Sequence, residues 1–421
     1  MARVEDVVIV GAGIAGLATA VALNRVGIRP LLLERSDSLR ATGAALSLFP
    51  NAWLALDALG VSHKLTPLYS PVLRGYITNV STGVVQENSF STDNSGKVLG
   101  PRAVHRRALL DALANELAAD SILFSCKISS IETAEQGGTS IPVLHLEDGS
   151  IIKTKVLIGC DGVNSVVAKW LGLSAPFDSG RSAVRGLSFF PQGHGFNQQE
   201  VRQFVDVGKR AGFIPLNDKE IYWFLTSTQT KDMPKNPKEI QQQLIEKYAQ
   251  NFPSTYLDVV RNADLSTLTW APLLLRNPLN VIMGNLNKGN VTVAGDAMHP
   301  MTPDLGQGGC SALEDAVVLG RHIGTSFMRN GRVIIEKEMS RVIDGYVGER
   351  RWRCAGLITG SYFSGWIQIS GSNWWMKFLR DYIFYGLLFR KVFGAADYDC
   401  GTLPNVSVSS DLQQFFSHKI D

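Results

Sequence analysis

A glycine-rich turn near the N-terminus constrains the fold more than any other feature of the sequence. Asp6–Val10 is an apolar run typical of a buried strand, and it leads directly into Gly11-Ala12-Gly13-Ile14-Ala15-Gly16. A helical stretch to about Arg25 and a second apolar strand, Pro30–Leu33, follow. Strand, glycine turn, helix and strand in this order predict a Rossmann-like α/β fold that binds a dinucleotide.

Each glycine of the turn has a separate physical role in such a fold. Gly11 permits the tight turn, Gly13 lets a pyrophosphate approach the backbone, and Gly16 lets the helix pack on the strand. Glu34 ends the second strand, where a carboxylate binds a ribose 2′-hydroxyl and repels a 2′-phosphate. The expected ligand is therefore FAD or NAD rather than NADP. Arg35 is expected at the surface or beside the adenine.

Two further strands end in an acid next to a glycine. Val156–Cys160 runs into Asp161-Gly162, and Val291–Ala294 runs into Gly295-Asp296. Open α/β sheets bind ligands at the carboxyl ends of their strands, so both acids are candidate ligand contacts. Asp161 can equally cap the following helix, with Ser165 inside it.

A stiff loop and a glycine-rich segment follow Asp296. Met298–Asp304 contains two prolines, and Gly306, Gly308 and Gly309 precede a helix predicted near Ser311–Ala316. Backbone amides at a helix N-terminus suit an anionic ligand. Another helix begins near Val104 and is predicted to end at about Ala119. Its first turn holds Arg106 and Arg107, and an arginine there is unfavourable for the helix dipole. One of them therefore either faces an anion or is simply solvated.

The middle of the chain predicts a second, mainly antiparallel sheet. Ser182–Thr228 contains four or five short strands, Tyr69–Phe90 reads as a hairpin, and a strand with Trp270 returns to the first domain. We expect an FAD-binding domain at 1–70, 98–180 and 275–331, an antiparallel-sheet substrate domain at 71–97 and 181–274, and C-terminal helices at 332–421. Candidate pocket residues are Arg185, Gln203, Phe213, Pro215, Trp223 and Pro303.

Each candidate aromatic can equally belong to the core. If Arg185 faces the pocket it favours a carboxylate or phenolate substrate, and if it pairs with an acid in the sheet that preference disappears.

Composition limits the partners. Lys and Arg (41) nearly balance Asp and Glu (38), which gives no electrostatic basis for binding nucleic acid. The five cysteines have no metal-ligand spacing and indicate a reduced, cytoplasmic compartment. A basic aromatic stretch at 374–393 can lie on a membrane surface or pack on the enzyme, and packing is favoured.

Three motifs together resemble a known family. The Gly11–Gly16 turn with Glu34, the Cys160-Asp161-Gly162 segment and the Gly295-Asp296 segment are similar in order and spacing to those of group A flavoprotein monooxygenases. This para-hydroxybenzoate hydroxylase-like class includes salicylate hydroxylases and zeaxanthin epoxidase. The resemblance covers roughly residues 5–350, and the chain also looks like the plant single-component members.

The resemblance implies FAD as cofactor, NADH or NADPH as electron donor, and O₂ as co-substrate. It implies a flavin C4a-hydroperoxide that hydroxylates or epoxidises a phenol, indole, other aromatic or conjugated alkene. Arg106 then contacts the flavin ribose and phosphate region, Asp161 and Gly162 serve FAD and the nicotinamide cofactor, and Asp296 binds the ribityl chain. Gly306, Gly308 and Gly309 lie beside the isoalloxazine ring.

Two residues of this region raise separate questions. Cys310 stands where many members have asparagine, and a thiol is a weaker hydrogen-bond partner than an amide. His299 can either accept and donate protons during the reaction or have a structural role. Other flavin enzymes of the fold (oxidase, halogenase), a dehydrogenase and a non-catalytic binding module are the competing interpretations, and the chain can be a monomer or a dimer.

Overall fold

The computed structural model describes residues 3–39, 44–90, 100–136, 138–228, 233–369 and 396–405. Two large sheets dominate it, one of eight strands and one of seven, and a two-stranded ladder lies apart from both. The strands are β1 (Arg3–Val10), β2 (Leu31–Leu33), β3 (Ala45–Leu48), β4 (Arg74–Asn79), β5 (Val85–Ser89), β6 (Arg102–His105), β7 (Ile122–Leu123), β8 (Ile128–Gln136), β9 (Thr139–Leu146), β10 (Ile151–Gly159), β11 (Phe177–Phe189), β12 (Glu200–Asp206), β13 (Lys209–Pro215), β14 (Glu220–Thr228), β15 (Thr269–Leu275), β16 (Asn287–Lys288) and β17 (Val291–Val293).

The helices cover the faces of the first sheet and one face of the second. They are α1 (Ile14–Arg25), α2 (Pro50–Ala58), α3 (Ser62–Leu65), α4 (Arg106–Ala114), α5 (Val166–Trp170), α6 (Pro237–Gln243), α7 (Ser254–Arg261), α8 (Pro278–Met283), α9 (Gly308–Arg329) and α10 (Glu336–Ile369). The mixed α/β fold with an antiparallel second sheet and C-terminal helices confirms the predicted fold class.

The first sheet has the strand order β16-β17-β10-β1-β2-β7. From β17 to β7 the pairs are parallel, and β8 and β9 add an antiparallel hairpin beside β10. Val7–Val10 and Leu31–Leu33 are buried without interruption, as expected for strands covered on both faces. α1 and α9 pack against each other over this sheet.

The second sheet has the strand order β15-β11-β14-β13-β12-β4-β5. All its pairs are antiparallel except β12 with β4. Ser182–Thr228 contributes β11–β14, in line with the four or five strands predicted there, and β15 and the hairpin β4–β5 extend the sheet to seven strands.

Several predicted helix ends differ from the structure. α4 ends at Ala114 rather than near Ala119, and a 3₁₀ turn follows at Ala119–Ser121. α6 is followed directly by a π-helical turn, Leu244–Tyr248. α10 is the longest described helix and continues to Ile369. The aromatic helix predicted at 374–393 lies outside the described residues.

Among the helices described, including the 34-residue α10, none combines the length and apolar character needed to cross a bilayer.

Candidate cofactor and substrate site

The three motifs singled out in the sequence start at the carboxyl ends of neighbouring strands in the first sheet. Val10 pairs with Gly159, and Gly159 pairs with Val293, so β1, β10 and β17 end in register. The glycine turn, Asp161 and Asp296 each follow one of these ends within three residues. This register is the geometric basis of the site.

A pocket of about 360 Å³ opens beside the first two strand ends. It is lined by residues of the glycine turn, the end of β2, the start of α4, the segment after β7 and the segment after β10. The sequence-predicted residues that line it are Gly11, Gly13, Glu34, Arg35, Arg106, Asp161 and Gly162.

The glycine turn has the shape that a bound pyrophosphate requires. Gly11 has φ +98°, and a Cβ there would lie 2.6 Å from the Cys160 carbonyl oxygen. A Cβ on Gly16 would lie 1.8 Å from the Gly11 carbonyl oxygen, whereas one on Gly13 would meet no atom within 4 Å in the described part of the chain outside its own neighbours. Gly11 and Gly16 are therefore required by packing, while Gly13 borders open space. The residues present fit a dinucleotide.

Glu34 is tied to the glycine turn. Its carboxylate accepts hydrogen bonds from the backbone amides of Ala12 at 2.8 Å and Ser36 at 2.9 Å. Both contacts hold the acid at the pocket wall, where its oxygens can also accept from ribose hydroxyls. Arg35 lines the same pocket with an exposed side chain.

The structure separates the two arginines at the start of α4. Arg107 is exposed and forms an ion pair with Asp111 at 2.8 Å. Arg106 lines the pocket, and its buried Nε has no hydrogen-bond partner among the described residues. Burial lowers the pKa of Arg106, and the nearby Asp296 carboxylate partly restores it. Arg106 thus lies between the pocket and Asp296, which follows β17. Its buried Nε can donate a hydrogen bond to an anion.

Asp161 serves the helix that follows it. Its carboxylate accepts from Ser165 Oγ at 2.5 Å and from the Val166 amide at 2.7 Å, while Ser165 is the residue that caps α5. Burial raises the pKa of Asp161, and these hydrogen bonds oppose the rise. The two interpretations of Asp161 are compatible: the acid supports the helix N-terminus and also lines the pocket.

Asp296 presents its carboxylate from a rigid turn. It is the one exposed residue between Val291 and Pro300, and its neighbour Gly295 has φ +59°. The Gly295 amide donates to Asp315 Oδ2 at 2.8 Å, and Tyr346 Oη donates to the Val293 carbonyl at 3.0 Å. Buried Arg276 donates to the Ala297 and Met298 carbonyls. Side chains remote in sequence therefore fix the turn from behind.

A buried charge network surrounds Asp315. Arg350 Nε lies 2.7 Å from Asp315 Oδ1, and His299 Nε2 lies 2.6 Å from Oδ2. Burial would raise the pKa of Asp315, but His299 and Arg350 lower it to about 2. Burial would lower the pKa of His299, yet the Cys354 sulfur and the Asp315 carboxylate raise it well above its usual value. The raised pKa favours the protonated form of His299, which lies against Asp315.

This network is not suited to a metal ion. Donor atoms of His299, Asp315 and Cys354 lie within 4.8 Å of one another. The Arg350 guanidinium already occupies Asp315, so a metal cation would meet a like charge there.

The glycines before α9 differ in role. Gly306 has φ +65° and ends the turn Pro303–Leu305. Gly308 is the first residue of α9 and borders open space, with only Met301 Cγ at 4.0 Å from a built Cβ. A Cβ on Gly309 would lie 2.8 Å from Cδ1 of Leu46, so the Leu46 side chain would have to shift to admit it.

Cys310 and Ala15 face the interior rather than the open side. Cys310 Sγ lies 3.4 Å from the Gly306 carbonyl, and burial raises the pKa of its thiol to about 12. Ala15 packs against Gly295, where any Cβ would come within 2.7 Å of its methyl group.

The second sheet has two different faces. Its outer face packs on α6 and α7 through Val184, Phe204, Trp223 and their neighbours. Its inner face packs on β3 and β6 through Ile214 and Leu216, which contact Ala45 and Ala103. The inner face is therefore the one that looks toward the cofactor-binding part of the fold.

Strand register identifies the inner-face residues. Arg185 pairs with Phe224, Phe224 with Gly212, and Gly212 with Gln203, which gives one row across four strands. Arg185, Phe224 and Gln203 remain half-buried in this row. Gln203 accepts two hydrogen bonds from Arg210, at 3.0 and 3.3 Å.

Three candidate pocket residues, Phe213, Pro215 and Trp223, lie on the outer face, and Trp270 lies there with them. Phe213 packs on Phe204, Trp223 meets Tyr256 edge-on at 6.4 Å, and Trp270 meets Tyr248 at 5.1 Å. Pro215 shares the side of Phe213, because side chains alternate along a strand. These residues belong to the outer face, and their strand neighbours Gly212, Ile214, Tyr222 and Phe224 belong to the inner face.

Pro303 stands next to an ion pair that joins the loop to the second sheet. Asp304 accepts two hydrogen bonds from Arg181, at 2.6 and 3.0 Å, and Arg210 Nη1 lies 3.6 Å away. α10 passes so close that a Cβ on Gly365 would come within 2.3 Å of Asp304. The loop, the sheet and α10 therefore meet at one buried carboxylate.

The sequence did not identify the residues that support the site from outside the motifs. The pocket is also lined by Ser36, Cys126, Lys127, Ile128, Val163, Asn164 and Val166. Asp315, Arg350, Tyr346 and Arg276 are likewise absent from the prediction. Glu314-Asp315 reads as an ordinary polar pair within a helix, and only the fold reveals that it is buried.

Comparison with known proteins agrees with this geometry. A family model described as an FAD binding domain matches residues 5–359. Monooxygenase 2 of Arabidopsis thaliana is 41% identical over 406 residues, covering 94% of this chain and 98% of that protein. The FAD-dependent urate hydroxylase of Mycolicibacterium vanbaalenii is 29% identical over 318 residues, covering 74% and 78%. The crystal structure of Klebsiella pneumoniae HpxO complexed with FAD and uric acid has a similar fold, with a TM-score of 0.78 at 24% identity, covering 94% and 96%.

Proposed function

Because the chain belongs to the FAD binding domain family and is a group A flavoprotein monooxygenase, we propose that it hydroxylates a small aromatic molecule. The molecule lies between the inner face of the second sheet and the loop that precedes α9. The register of β1, β10 and β17 carries the proposal, since it gathers three ligand-binding motifs at one sheet edge.

FAD is held along this edge. Gly13 and the α1 N-terminus receive the pyrophosphate, Glu34 accepts from the adenosine ribose, and Arg106 neutralises a phosphate. Asp296 accepts from the ribityl chain. The set of assigned cofactor residues is completed by Gly11, Ala15, Gly16, Arg35, Asp161, Gly162, Gly295, Gly306, Gly308 and Gly309.

Bound FAD takes electrons from NADH or NADPH and supplies the oxygen chemistry with O₂. The chain's own residues position the substrate and exclude water. The Arg181–Asp304 pair ties the loop to the second sheet, which limits water entry at that end of the space. Relatives named for urate hydroxylation support an aromatic substrate.

Two other features of the chain complete the proposal. The first sheet draws strands from both sides of the 177–275 segment that builds most of the second sheet, which supports a discontinuous FAD-binding domain. All five cysteines are free, which supports a reduced compartment such as the cytoplasm.

The test is a substrate screen on the FAD-loaded protein. Phenols, indoles and quinolones are added with NADH or NADPH, and O₂ uptake, flavin reduction and products are followed. We expect at least one aromatic to accelerate flavin reduction and to gain one oxygen atom. A preparation that cannot bind FAD, or equal NAD(P)H oxidation with and without every compound, would refute the function.

Asp296→Ala gives a second readout. It removes the exposed acceptor and should lower FAD affinity at least tenfold. Asp258→Ala, an exposed acid on α7, is the matched control and should bind FAD as the wild type does. Equal FAD affinity in the two variants contradicts the role of Asp296.

A further inference from the structure

Gln307 is a buried side chain whose amide nitrogen has no hydrogen-bond partner among the described residues. It is the residue immediately before α9, and it is 2% exposed. Its Oε1 accepts a hydrogen bond from Asn51 Nδ2 at 2.8 Å, whereas no described residue accepts one from its Nε2. A buried donor left unpaired is costly, so Nε2 requires an acceptor that a bound molecule supplies.

The neighbours of Gln307 determine which way its amide is turned. The oxygen and nitrogen of an amide are told apart by the hydrogen bonds that they make. Asn51 Nδ2 lies 2.5 Å from Glu314 Oε1, so Asn51 turns its NH₂ group toward that acid. The second hydrogen of the same nitrogen then points to Gln307, which has to offer its oxygen in return. Nε2 of Gln307 is therefore held away from Asn51.

Glu314 can act only as an acceptor in this arrangement. Arg353 donates to both of its carboxylate oxygens, at 2.6 and 2.7 Å, and Arg350 Nη1 lies 2.6 Å from Oε2. Since both oxygens already accept, Glu314 presents no hydrogen to Asn51. The Tyr398 ring lies over Arg353, with 4.1 Å between the guanidinium carbon and the ring centroid. The acid is thus fixed in place from the side of α10.

One oxygen of Asn51 remains unpaired. Asn51 is fully buried in α2, and its Oδ1 has no hydrogen-bond partner among the described residues. Turning this amide over would bring Oδ1 against the Glu314 carboxylate and would lose both donated hydrogen bonds. The two bonds to Glu314 and Gln307 therefore decide the orientation of Asn51, in spite of the unpaired oxygen.

The free N–H of Gln307 belongs to the end of α9 beside which the proposed function puts the flavin ring. Gly308 follows Gln307 directly and borders open space. The first turn of α9 has no acidic side chain, and its unpaired backbone amides favour negative charge. A reduced flavin ring is anionic and an oxidised one is neutral. An N–H donor at this end therefore binds the reduced ring more tightly.

We infer that Asn51 is a positioning residue of the cofactor site, which holds the Gln307 amide so that Nε2 donates to the flavin ring. Gln307 makes the contact, and Glu314 fixes Asn51 from behind. This inference rests on the proposed function, because it concerns how the same site binds its cofactor. The three residues Glu314, Asn51 and Gln307 form the amide relay.

The experiment compares the affinity of the protein for oxidised and for reduced FAD. The ratio of the two affinities sets the midpoint potential of the bound flavin, which is measured by anaerobic titration without substrate or nicotinamide cofactor. Asn51→Leu keeps roughly the volume of asparagine and removes the donor, so the Gln307 amide can turn its oxygen to the ring. We expect reduced FAD to lose about tenfold more affinity than oxidised FAD, which lowers the potential by about 30 mV.

A double-mutant cycle separates orientation from packing. Gln307→Leu removes the donor itself and should lower the potential by a similar amount. The double variant Asn51→Leu/Gln307→Leu should show no further fall, because Asn51 acts through Gln307. Asn290→Leu is the matched control. Asn290 is also buried and donates to the Glu336 carbonyl at 3.0 Å, but it precedes β17, at the opposite end of that strand from the site. This variant should lose stability without a change in potential.

Gln307→Glu tests the relay without changing Asn51. One oxygen of the new carboxylate still accepts from Asn51, and the other takes the place of the free N–H. At about pH 8, well above the ordinary pKa of glutamate, an anion then replaces the donor. The potential should fall further than in Gln307→Leu.

Each outcome has a defined meaning. An unchanged potential in Asn51→Leu, a further fall in the double variant, or an equal fall in Asn290→Leu overturns the inference. If Asn51→Leu does not fold, a potential in Gln307→Glu equal to or above that of the wild type overturns it. A wild-type protein that binds no FAD overturns the proposed function instead. FAD binding by the wild type together with an unchanged potential in Asn51→Leu leaves the function intact and overturns the inference alone.

Discussion

Arg350 of α10 and Asp315 of α9 form an ion pair that no solvent reaches, with 2.7 Å between Nε and Oδ1. The other oxygen of Asp315 accepts from the Gly295 amide, one residue before Asp296. α9 and α10 thus meet behind the turn that holds the exposed Asp296 carboxylate. The pair connects the packing of the C-terminal helix with the geometry of the cofactor edge.

Breaking this pair should affect stability and cofactor binding together. Asp315→Leu leaves His299 without its carboxylate and Arg350 with Glu314 as the remaining buried acid, which costs up to about 3–5 kcal/mol of unfolding free energy. It also leaves the Gly295 amide unpaired, so FAD affinity should fall at least tenfold. Denaturant unfolding and FAD titration measure the two effects.

The double variant Asp315→Leu/Arg350→Met separates them. Removing both charges should recover much of the stability, while the Gly295 amide stays unpaired and FAD affinity stays low. Asp344→Asn, an exposed acid on α10, should change neither quantity. Wild-type FAD affinity in Asp315→Leu would show that the turn does not depend on the pair.

His299 should make the folded protein less stable as the pH rises above neutrality. Its folded pKa is raised, so the unfolded chain releases this proton near its ordinary pKa while the folded protein keeps it. The stabilisation is full below the unfolded pKa and is lost as pH rises toward the folded pKa. The slope is about 1.4 kcal/mol per pH unit for one proton.

His299→Gln removes this contribution. Unfolding free energies of the wild type and the variant, measured from pH 6 to 8.5 (a window set at about the ordinary histidine pKa and above), should converge as the pH rises. Parallel curves would mean that the imidazole is neutral in the folded state.

The second and third glycines of the turn, Gly13 and Gly16, should have different effects when replaced. Gly13→Ala points a methyl group into open space, so the protein should fold normally and bind FAD at least tenfold more weakly. Gly16→Ala drives a methyl group into the Gly11 carbonyl and should lower the melting temperature or prevent folding. A Gly13→Ala protein with wild-type FAD affinity would place the pyrophosphate elsewhere.

Phe213 on the outer face and Phe224 on the inner face of the second sheet should differ in what their mutation changes, stability or substrate KM. Phe213→Ala opens a cavity in a fully buried cluster and should cost about 3–5 kcal/mol of unfolding free energy. Phe224→Ala, on the half-buried inner face, should cost much less and should instead raise the KM for the aromatic substrate. The reverse outcome, a KM change in Phe213→Ala alone, would mean that the faces are assigned the wrong way round.

Local patterns were enough to predict that three motifs meet at the carboxyl ends of neighbouring parallel strands. The glycine turn, Glu34 and the acids after two strands are short-range features, and parallel strands necessarily bring their ends together. The substrate side was harder because β13 is apolar on both faces, with Ala211, Phe213 and Ile214 all buried. Because polar and apolar residues do not alternate along β13, the sequence does not show which side of the sheet each residue faces. An error of one residue in this assignment exchanges the two faces.

The support behind the site depends on contacts between distant segments. Asp315 and Arg350 belong to different helices, and Arg276 reaches the Met298 carbonyl from the end of β15. In the sequence these residues resemble ordinary surface charges. Their role follows from burial, which is decided by the packing of α9 and α10 and not by any local pattern.

The division of the second sheet into two faces also bears on how such enzymes diversify. Inner-face residues such as Arg185 and Phe224 are only half-buried and contribute little to core packing. Substitutions there can therefore accumulate without unfolding the protein. Outer-face positions such as Trp223 are constrained by the helices that cover them. Related enzymes can therefore acquire new substrates through substitutions on the inner face, while the residues of the outer face keep the fold unchanged.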